Sequence, residues 1–116
     1  GERFVYVLDM SGSMAEPKVY IYIIRMTRPD MANKPSAEER RTMETHFDHL
    51  QSKLASGELL LAGPALDSAF GIVIFTAPDE ATARAFMESD PAVQQGIMQA
   101  ELHPFKVSLL GDQWRA

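Results

Sequence analysis

Residues 58–75, ELLLAGPALDSAFGIVIF, form the stretch around which the chain is organised, because two apolar runs in it predict two buried strands joined by a loop. The first run ends where Gly63 and Pro64 interrupt it, and the second is rich in β-branched and aromatic residues. One acid, Asp67, lies in the loop. Loops held by rigid strands commonly carry functional side chains. Asp67 is therefore a candidate site residue, although a plain turn has the same sequence features.

Length and composition limit the classes of protein to which this chain can belong. Its 116 residues suffice for one compact domain. No apolar run approaches the roughly 20 residues that span a bilayer. The 16 acidic residues against 11 basic ones give a net charge of -5, which does not suit a phosphate backbone. We therefore expect neither a membrane nor a nucleic acid as a partner.

The sequence contains no cysteine. Disulfide bonds, thiolate nucleophiles and thiolate metal ligands are therefore excluded. A chain without cysteine fits a reducing compartment, and we predict a cytoplasmic protein.

The domain is expected to cover residues 16–116. Residues 1–15 are interpreted as an N-terminal extension or a non-native remnant, because a strong strand signal begins soon after them. A native edge strand that precedes the core is the alternative interpretation. The apolar run in this segment is too short for the core of a secretory signal.

Residues 19–26, VYIYIIRM, predict a central strand, because both faces of the run are apolar. Arg25 interrupts the run near its end. This side chain either reaches a cavity or ends the strand with a charge in solvent. Residues 27–35 contain two prolines and predict a loop.

A long helix is predicted to follow this loop. Ser36 and Glu39 have the spacing of a capping box, and Gly57 is placed to end the helix after about residue 56. Four apolar residues at helical spacing predict its buried stripe: Met43, Phe47, Leu50 and Leu54. On a helical wheel His46 lies at the edge of this stripe, whereas His49 is expected to point to water.

The second half of the chain predicts three further elements. A helix is expected from about residue 76 to residue 89, followed by a short helical turn over residues 91–96 that Asp90 would cap. A final strand is expected over residues 102–110, with Pro104 at an irregular or edge position. Trp114 is expected to pack on a neighbouring subunit or to close a pocket.

The predicted order of elements is βαββαβ. This order is typical of the α+β ferredoxin-like fold, with a four-stranded antiparallel sheet and two helices on one face. Alternation places Ile21 and Ile23 on one face and Tyr22 and Ile24 on the other, so both faces are apolar. Because the helices cover one face, we expect a second copy to cover the other, which gives a homodimeric α+β barrel.

The sequence resembles the YCII-related family over about residues 18–110. The stretches that carry this resemblance are HFDHLQSKLASGELLLAGPALD (46–67), GIVIF (71–75), EATARAFMESDPAVQQGI (80–97) and LHPFKV (102–107). The resemblance implies a dimeric ferredoxin-like fold with a site built on a helix histidine and an aspartate that follows the Ala-Gly-Pro turn. His46 and Asp67 match these two positions. Some members of the family resemble enzymes that remove chloride or rearrange products of aromatic-ring breakdown.

These features predict an acid-base enzyme that acts on a small organic molecule by elimination, isomerisation or hydrolysis. A carboxylate fixes one imidazole tautomer and makes the other ring nitrogen more basic. The candidate catalytic residues are His46 and Asp67, and the candidate substrate-binding residues are Arg25, Gly63, Pro64, Ser68 and Asp90.

No metal ion or cofactor is predicted. His46 and His49 could share a metal ion, but the sequence offers no identifiable third ligand for it. The sequence also has no P-loop and no dinucleotide-binding fingerprint. Two alternatives to the enzyme stay open. One is a non-catalytic domain that binds a small ligand, for which seven methionines would provide an adaptable pocket. The other is a structural module.

Overall fold

A computed structural model describes residues 18–112 of the chain. Within these residues the strands and helices follow in the order β1 (Lys18–Met26), α1 (Ala37–Ser56), β2 (Leu59–Pro64), β3 (Gly71–Ala77), α2 (Glu80–Glu88), α3 (Pro91–Gln94) and β4 (Met98–Phe105). A short 3-10 turn, Pro29–Met31, lies in the loop before α1. The interpretation of residues 1–15 and the packing expected for Trp114 concern parts of the chain outside the described residues.

The four strands form one antiparallel sheet in the order β2-β3-β1-β4. β1 is central, as predicted, and Tyr22 lies opposite Val73 on β3 and Leu102 on β4. The predicted α+β ferredoxin-like fold is therefore confirmed. β2 lies at an edge of the sheet and buries only Leu59, so the prediction that it is a buried strand was wrong.

The core lies between the helices and one face of the sheet. Tyr22 and Phe75 are fully buried on this face. The ring of Phe75 stacks on that of Phe86 from α2, with 4.1 Å between their centroids. Tyr22 meets Phe75 edge-on at 5.8 Å. Because aromatic rings bury large apolar areas, these contacts supply much of the attraction between helix and sheet.

The other face of the sheet carries a row of half-buried apolar side chains. Ile21 and Ile23 on β1 lie opposite Ile74 and Ile72 on β3. All four lie on the face away from the fully buried rings, as the alternation in the sequence predicted. We call this surface, defined by these four isoleucines, the open face.

The ends of α1 are set by the residues that the sequence indicates. The Ser36 hydroxyl accepts a hydrogen bond from the Glu39 amide at 3.0 Å, and the Glu39 carboxylate accepts one from the Ser36 amide at 2.8 Å. Arg28 also donates to Glu39, and this hydrogen bond is the main reason that the pKa of Glu39 falls to about 2. Gly57 ends the helix with a φ of 89°, a left-handed conformation that glycine adopts without strain.

Two element boundaries differ from the prediction. β4 runs over Met98–Phe105 rather than residues 102–110, because it pairs with β1 along almost its whole length. Pro104 is accommodated because β4 is an edge strand. Residues 76 and 77 extend β3, and α2 begins at Glu80 because the Asp79 side chain caps it through the Thr82 amide.

The rotation of α1 also differs from the prediction. Phe47 is 61% exposed and Leu54 is 56% exposed, whereas His46 and Leu50 are buried. The apolar stripe is therefore turned partly away from the core. None of the helices in residues 18–112 combines the length and the apolar composition of a membrane span.

The rotation of α1 can be tested with two phenylalanine substitutions. Phe86→Ala should lower the free energy of unfolding by about 3–5 kcal/mol, because it removes a ring stacked in the core. Phe47→Ala should lower it by less than about 1 kcal/mol, because most of this ring is exposed. Urea unfolding followed by circular dichroism measures both. Equal losses for the two variants would contradict the orientation of α1 described here.

Candidate active site

The centre of the site is a hydrogen bond between a helix histidine and a buried aspartate. His46 Nδ1 on α1 lies 2.7 Å from Oδ1 of Asp90, the residue that precedes α3. His46 is 8% exposed and Asp90 is fully buried. The two residues are 44 positions apart, so only the folded chain brings them together.

Asp90 is held on both carboxylate oxygens. Oδ1 also accepts from the Ala92 amide at 2.9 Å, which caps α3, and Oδ2 accepts from the Tyr22 hydroxyl at 2.7 Å. Burial raises the pKa of Asp90, but the hydrogen bonds from His46 and Tyr22 and the charge of His46 outweigh it and leave the pKa below its ordinary value. The group is therefore a carboxylate at neutral pH, and it accepts a hydrogen bond from the N–H at Nδ1 of His46.

This arrangement leaves Nε2 as the basic nitrogen of His46. A neutral imidazole whose Nδ1 carries the proton has its lone pair on Nε2. Among the residues that the structure describes, no side chain or backbone group hydrogen-bonds to Nε2. His46 lines a groove, so this nitrogen is the one available to a bound molecule.

The groove has a volume of about 970 Å³ and is bordered by α1, by β2 and by the loop of residues 65–70. This volume lies in the range of small-molecule pockets, roughly 300–1,000 Å³. Most of its lining is apolar, and the side chains include Met31, Met43, Phe47, Leu50, Leu54, Leu60, Leu61, Phe70 and Val73. The outward rotation of Phe47 and Leu54 therefore forms one wall of the groove.

Three of the predicted substrate-binding residues line the groove together with His46. These are Gly63, Pro64 and Ser68. Ser68 has a φ of 67°, which is uncommon for a residue other than glycine, and such backbone strain is often found at functional sites. The structure therefore brings four of the seven predicted residues to one groove.

Asp67 is not the carboxylate that contacts His46, and that part of the prediction was wrong. Its Oδ1 accepts a hydrogen bond from the Ala69 amide at 3.0 Å, so the side chain folds back on its own loop. Asp67 lines a smaller pocket with Arg25 and Ser68. Arg25 lies on the exposed end of β1, with Nη1 3.6 Å from Glu101 Oε1, and does not line the groove that contains His46.

Asp90 caps a helical turn, as the sequence indicates, but it does not contact the groove as a substrate-binding residue would. Its full burial places it behind His46. The Asp-Pro pair predicts the cap, because aspartate commonly caps a helix that begins with proline. The contact with His46 has no local signal in the sequence.

His49 does not point to water, contrary to the helical-wheel prediction. Its ring meets that of Phe86 edge-on at 6.3 Å, and Nε2 is buried without a hydrogen-bond partner among the described residues. Burial lowers the pKa of His49, so its neutral form is favoured.

No cluster of three or more His, Asp or Glu side chains suited to a metal ion occurs in residues 18–112.

Comparisons with known proteins agree with this fold. The sequence profile of the YCII-related domain matches residues 19–106. The chain belongs to the YCII-related family. Its fold is similar to that of 5-chloro-2-hydroxyhydroquinone dehydrochlorinase from Burkholderia phenoliruptrix AC1100, solved in complex with 2,5-dihydroxybenzoquinone. The TM-score is 0.57 and the identity 20%, over 75% of this chain and 93% of that one. No curated protein matches this YCII-related chain.

Replacing Asp90 should destabilise the protein, with a defined pH dependence. Asp90→Asn should lower the free energy of unfolding by about 2–4 kcal/mol at pH 7, because buried donors lose their charged acceptor. The pKa of Asp90 is lower in the folded chain, so its stabilising contribution is complete above the ordinary aspartate pKa and is lost as pH falls through the lower value. The difference between wild type and variant should therefore shrink below about pH 4.

Asp67→Asn is the matched control for this experiment. Its carboxylate is exposed and contacts only its own loop, so the variant should stay within about 0.5 kcal/mol of wild type in urea unfolding at pH 7, 5 and 3. An equal loss in both variants, or an Asp90→Asn loss that does not change with pH, would contradict the assignment.

Proposed function

We propose that this YCII-related protein is an enzyme that transfers a proton to or from a small organic molecule bound in the groove. His46 Nε2 is the catalytic base and acid, and Asp90 orients the imidazole. The observation that carries this proposal is the position of His46, whose Nδ1 is held at 2.7 Å by a buried carboxylate while the residue lines the groove. General acid-base catalysis requires such an oriented group within reach of the substrate.

The pair supports both halves of a proton transfer. When Nε2 accepts a proton, the imidazolium is paired with the Asp90 carboxylate, which stabilises the new charge without moving. The same imidazolium then returns the proton to a product, a leaving group or water. Because the carboxylate is already hydrogen-bonded on both oxygens, little reorganisation accompanies these steps.

Elimination is the reaction class that we favour. Nε2 would take a proton from an acidic position of the substrate, the freed electron pair would form a new double bond, and chloride would leave with its bonding electrons. Support comes from the dehydrochlorinase whose fold is similar. The apolar lining of the groove suits the ring of an aromatic or quinonoid substrate.

Four further residues have proposed roles in substrate binding. Gly63, Pro64 and Ser68 border the groove. In this proposal the Ser68 hydroxyl would hydrogen-bond a polar substituent of the substrate. Arg25 lines the smaller pocket and not the groove, so it would contact only a substrate that extends into the smaller pocket.

A non-catalytic domain that binds a small ligand is the second candidate function. The observation that favours it is the strongly apolar lining of the groove, in which His46 is one of few polar groups. Such a surface can retain a hydrophobic metabolite through burial alone. In that case His46 would contribute one hydrogen bond and no chemistry.

We further propose that the protein is a homodimer in the cytoplasm. The four isoleucines of the open face are only half buried in the single chain. A second copy packed face to face would cover them and form the α+β barrel. The absence of cysteine fits the cytoplasm.

The catalytic proposal is tested by turnover. Wild type should consume at least one compound from a panel of chlorinated hydroxyquinols and lactones, and His46→Gln should lower kcat by about 100-fold or more, because the proton-transfer group is removed. His49→Gln is the control, since it replaces a histidine one turn along α1 that does not line the groove. Product formation is followed by absorbance and chloride release. Binding that survives His46→Gln, with no turnover by wild type, would support the ligand-binding alternative.

The dimer proposal is tested by mass in solution. Light scattering after gel filtration should give about twice the mass of one chain for wild type. Ile23→Lys should give a monomer, because a charge in the centre of the open face cannot be buried against a second copy without a partner. Leu66→Lys is the control, since this side chain is fully exposed in the β2–β3 loop. A monomeric wild type would overturn the proposal.

A further inference from the structure

Tyr22 hydrogen-bonds to the oxygen of the Asp90 carboxylate that His46 does not contact. Its hydroxyl donates to Oδ2 of Asp90 at 2.7 Å, whereas His46 Nδ1 contacts Oδ1. We propose that Tyr22 is a positioning residue that sets the basicity of His46 through Asp90. The consequence of this positioning for catalysis rests on the proposed function. The effect on the basicity of His46 is measurable without a substrate.

Within residues 18–112, the hydroxyl of Tyr22 hydrogen-bonds to Asp90 and to no other side chain. Tyr22 is fully buried on β1, and its ring packs edge-on against Phe75 and lies 6.3 Å from the ring of Phe86. A buried hydroxyl that loses its acceptor carries a desolvation cost. Burial and the neighbouring Asp90 charge both raise the pKa of Tyr22, so the residue keeps its proton and stays a donor.

The hydrogen bond from Tyr22 acts unequally on the two protonation states of His46. When the imidazole is neutral, the Asp90 carboxylate is a buried negative charge without a cation, and the donors that stabilise it are Tyr22, the Ala92 amide and His46 itself. When the imidazole is protonated, its positive charge already stabilises the carboxylate. The hydrogen bond therefore contributes more to the neutral state, which is the state that can accept a proton.

Other charged groups near this end of α1 are the same in wild type and in a Tyr22 variant. His49, Lys53 and Glu58 interact electrostatically with one another, and His49 also interacts with Asp90 and His46. None of these groups hydrogen-bonds to Asp90 among the described residues. A change at Tyr22 alone therefore reports on the Asp90 contact.

The experiment follows the protonation of His46 by 15N NMR. The chain contains three histidines, so His46→Gln and His49→Gln assign the ring signals. In wild type, Nδ1 should carry the proton and Nε2 should be the unprotonated nitrogen at high pH. Tyr22→Phe should move the midpoint of the His46 titration upward by roughly half a pH unit or more, because the neutral state loses a stabilising donor.

Tyr20→Phe is the matched control. Tyr20 lies on the same strand and the same face, two residues before Tyr22, and its hydroxyl does not contact Asp90. This variant should leave the midpoint where it is in wild type. The same shift in both phenylalanine variants, or no shift in a folded Tyr22→Phe, would overturn the proposal.

A second substitution at position 22 tests the sign of the effect and retains the packing of the ring. Tyr22→3-fluorotyrosine carries a more acidic hydroxyl, which is a stronger donor of nearly the same size, so the midpoint should move downward. An upward shift or no shift would overturn the proposal even if Tyr22→Phe failed to fold. With a substrate, the acid limb of the kcat profile should move in the same direction as the NMR midpoint while KM stays nearly constant. NMR shifts without turnover would support this inference and contradict the proposed enzyme.

Discussion

The buried carboxylate of Asp90 is the constraint on which the arrangement of this domain depends. It joins β1 through Tyr22, α1 through His46 and α3 through the Ala92 amide. Removing a carboxylate from water costs several kcal/mol unless its oxygens are paired. Each of these contacts helps to pair the buried oxygens, and together they link α1 and α3 to the central strand.

This constraint explains the rotation of α1. The helix must direct His46 inward to reach Asp90, so its buried side is centred near His46 and Leu50 rather than on the full apolar stripe. Phe47 and Leu54, which lie on the flank of the helix, then face the space beside β2. The groove is a consequence of this rotation, because an α1 packed by its apolar stripe would fill the same space with side chains.

The elements with local signals were predictable from the sequence. The Ser36–Glu39 capping box, the glycine after α1 and the Asp-Pro cap of α3 are each set by residues a few positions apart, and the structure contains all three. The order of elements and the alternation of β1 were sufficient to identify the ferredoxin-like sheet. The edge position of β2 was not visible, because the sequence of a strand does not indicate how many neighbours it has.

The histidine of the site was predictable, but its partner and the direction of its helix were not. The helical-wheel prediction uses the spacing of apolar residues and counts histidine as polar. It therefore predicted a buried face of four apolar residues and an exposed His49. The helix instead buries His46, which hydrogen-bonds to Asp90, and part of His49, whose ring packs against Phe86. No pattern within one segment of the sequence reveals a hydrogen bond between residues 44 positions apart.

The two candidate aspartates differ in what surrounds their oxygens, and that difference decides which one can act on a histidine. Asp67 lies in an exposed loop, where water solvates it and screens its charge. The Ala69 amide already donates a hydrogen bond to its Oδ1. Asp90 lies where water is excluded, so its charge acts on His46 through a medium of low dielectric constant. It also caps a helix, so it cannot rotate to follow a moving proton. A fixed, dry carboxylate can hold the imidazole of His46, a residue that lines the groove, in one orientation in both protonation states, which a mobile surface acid would not do.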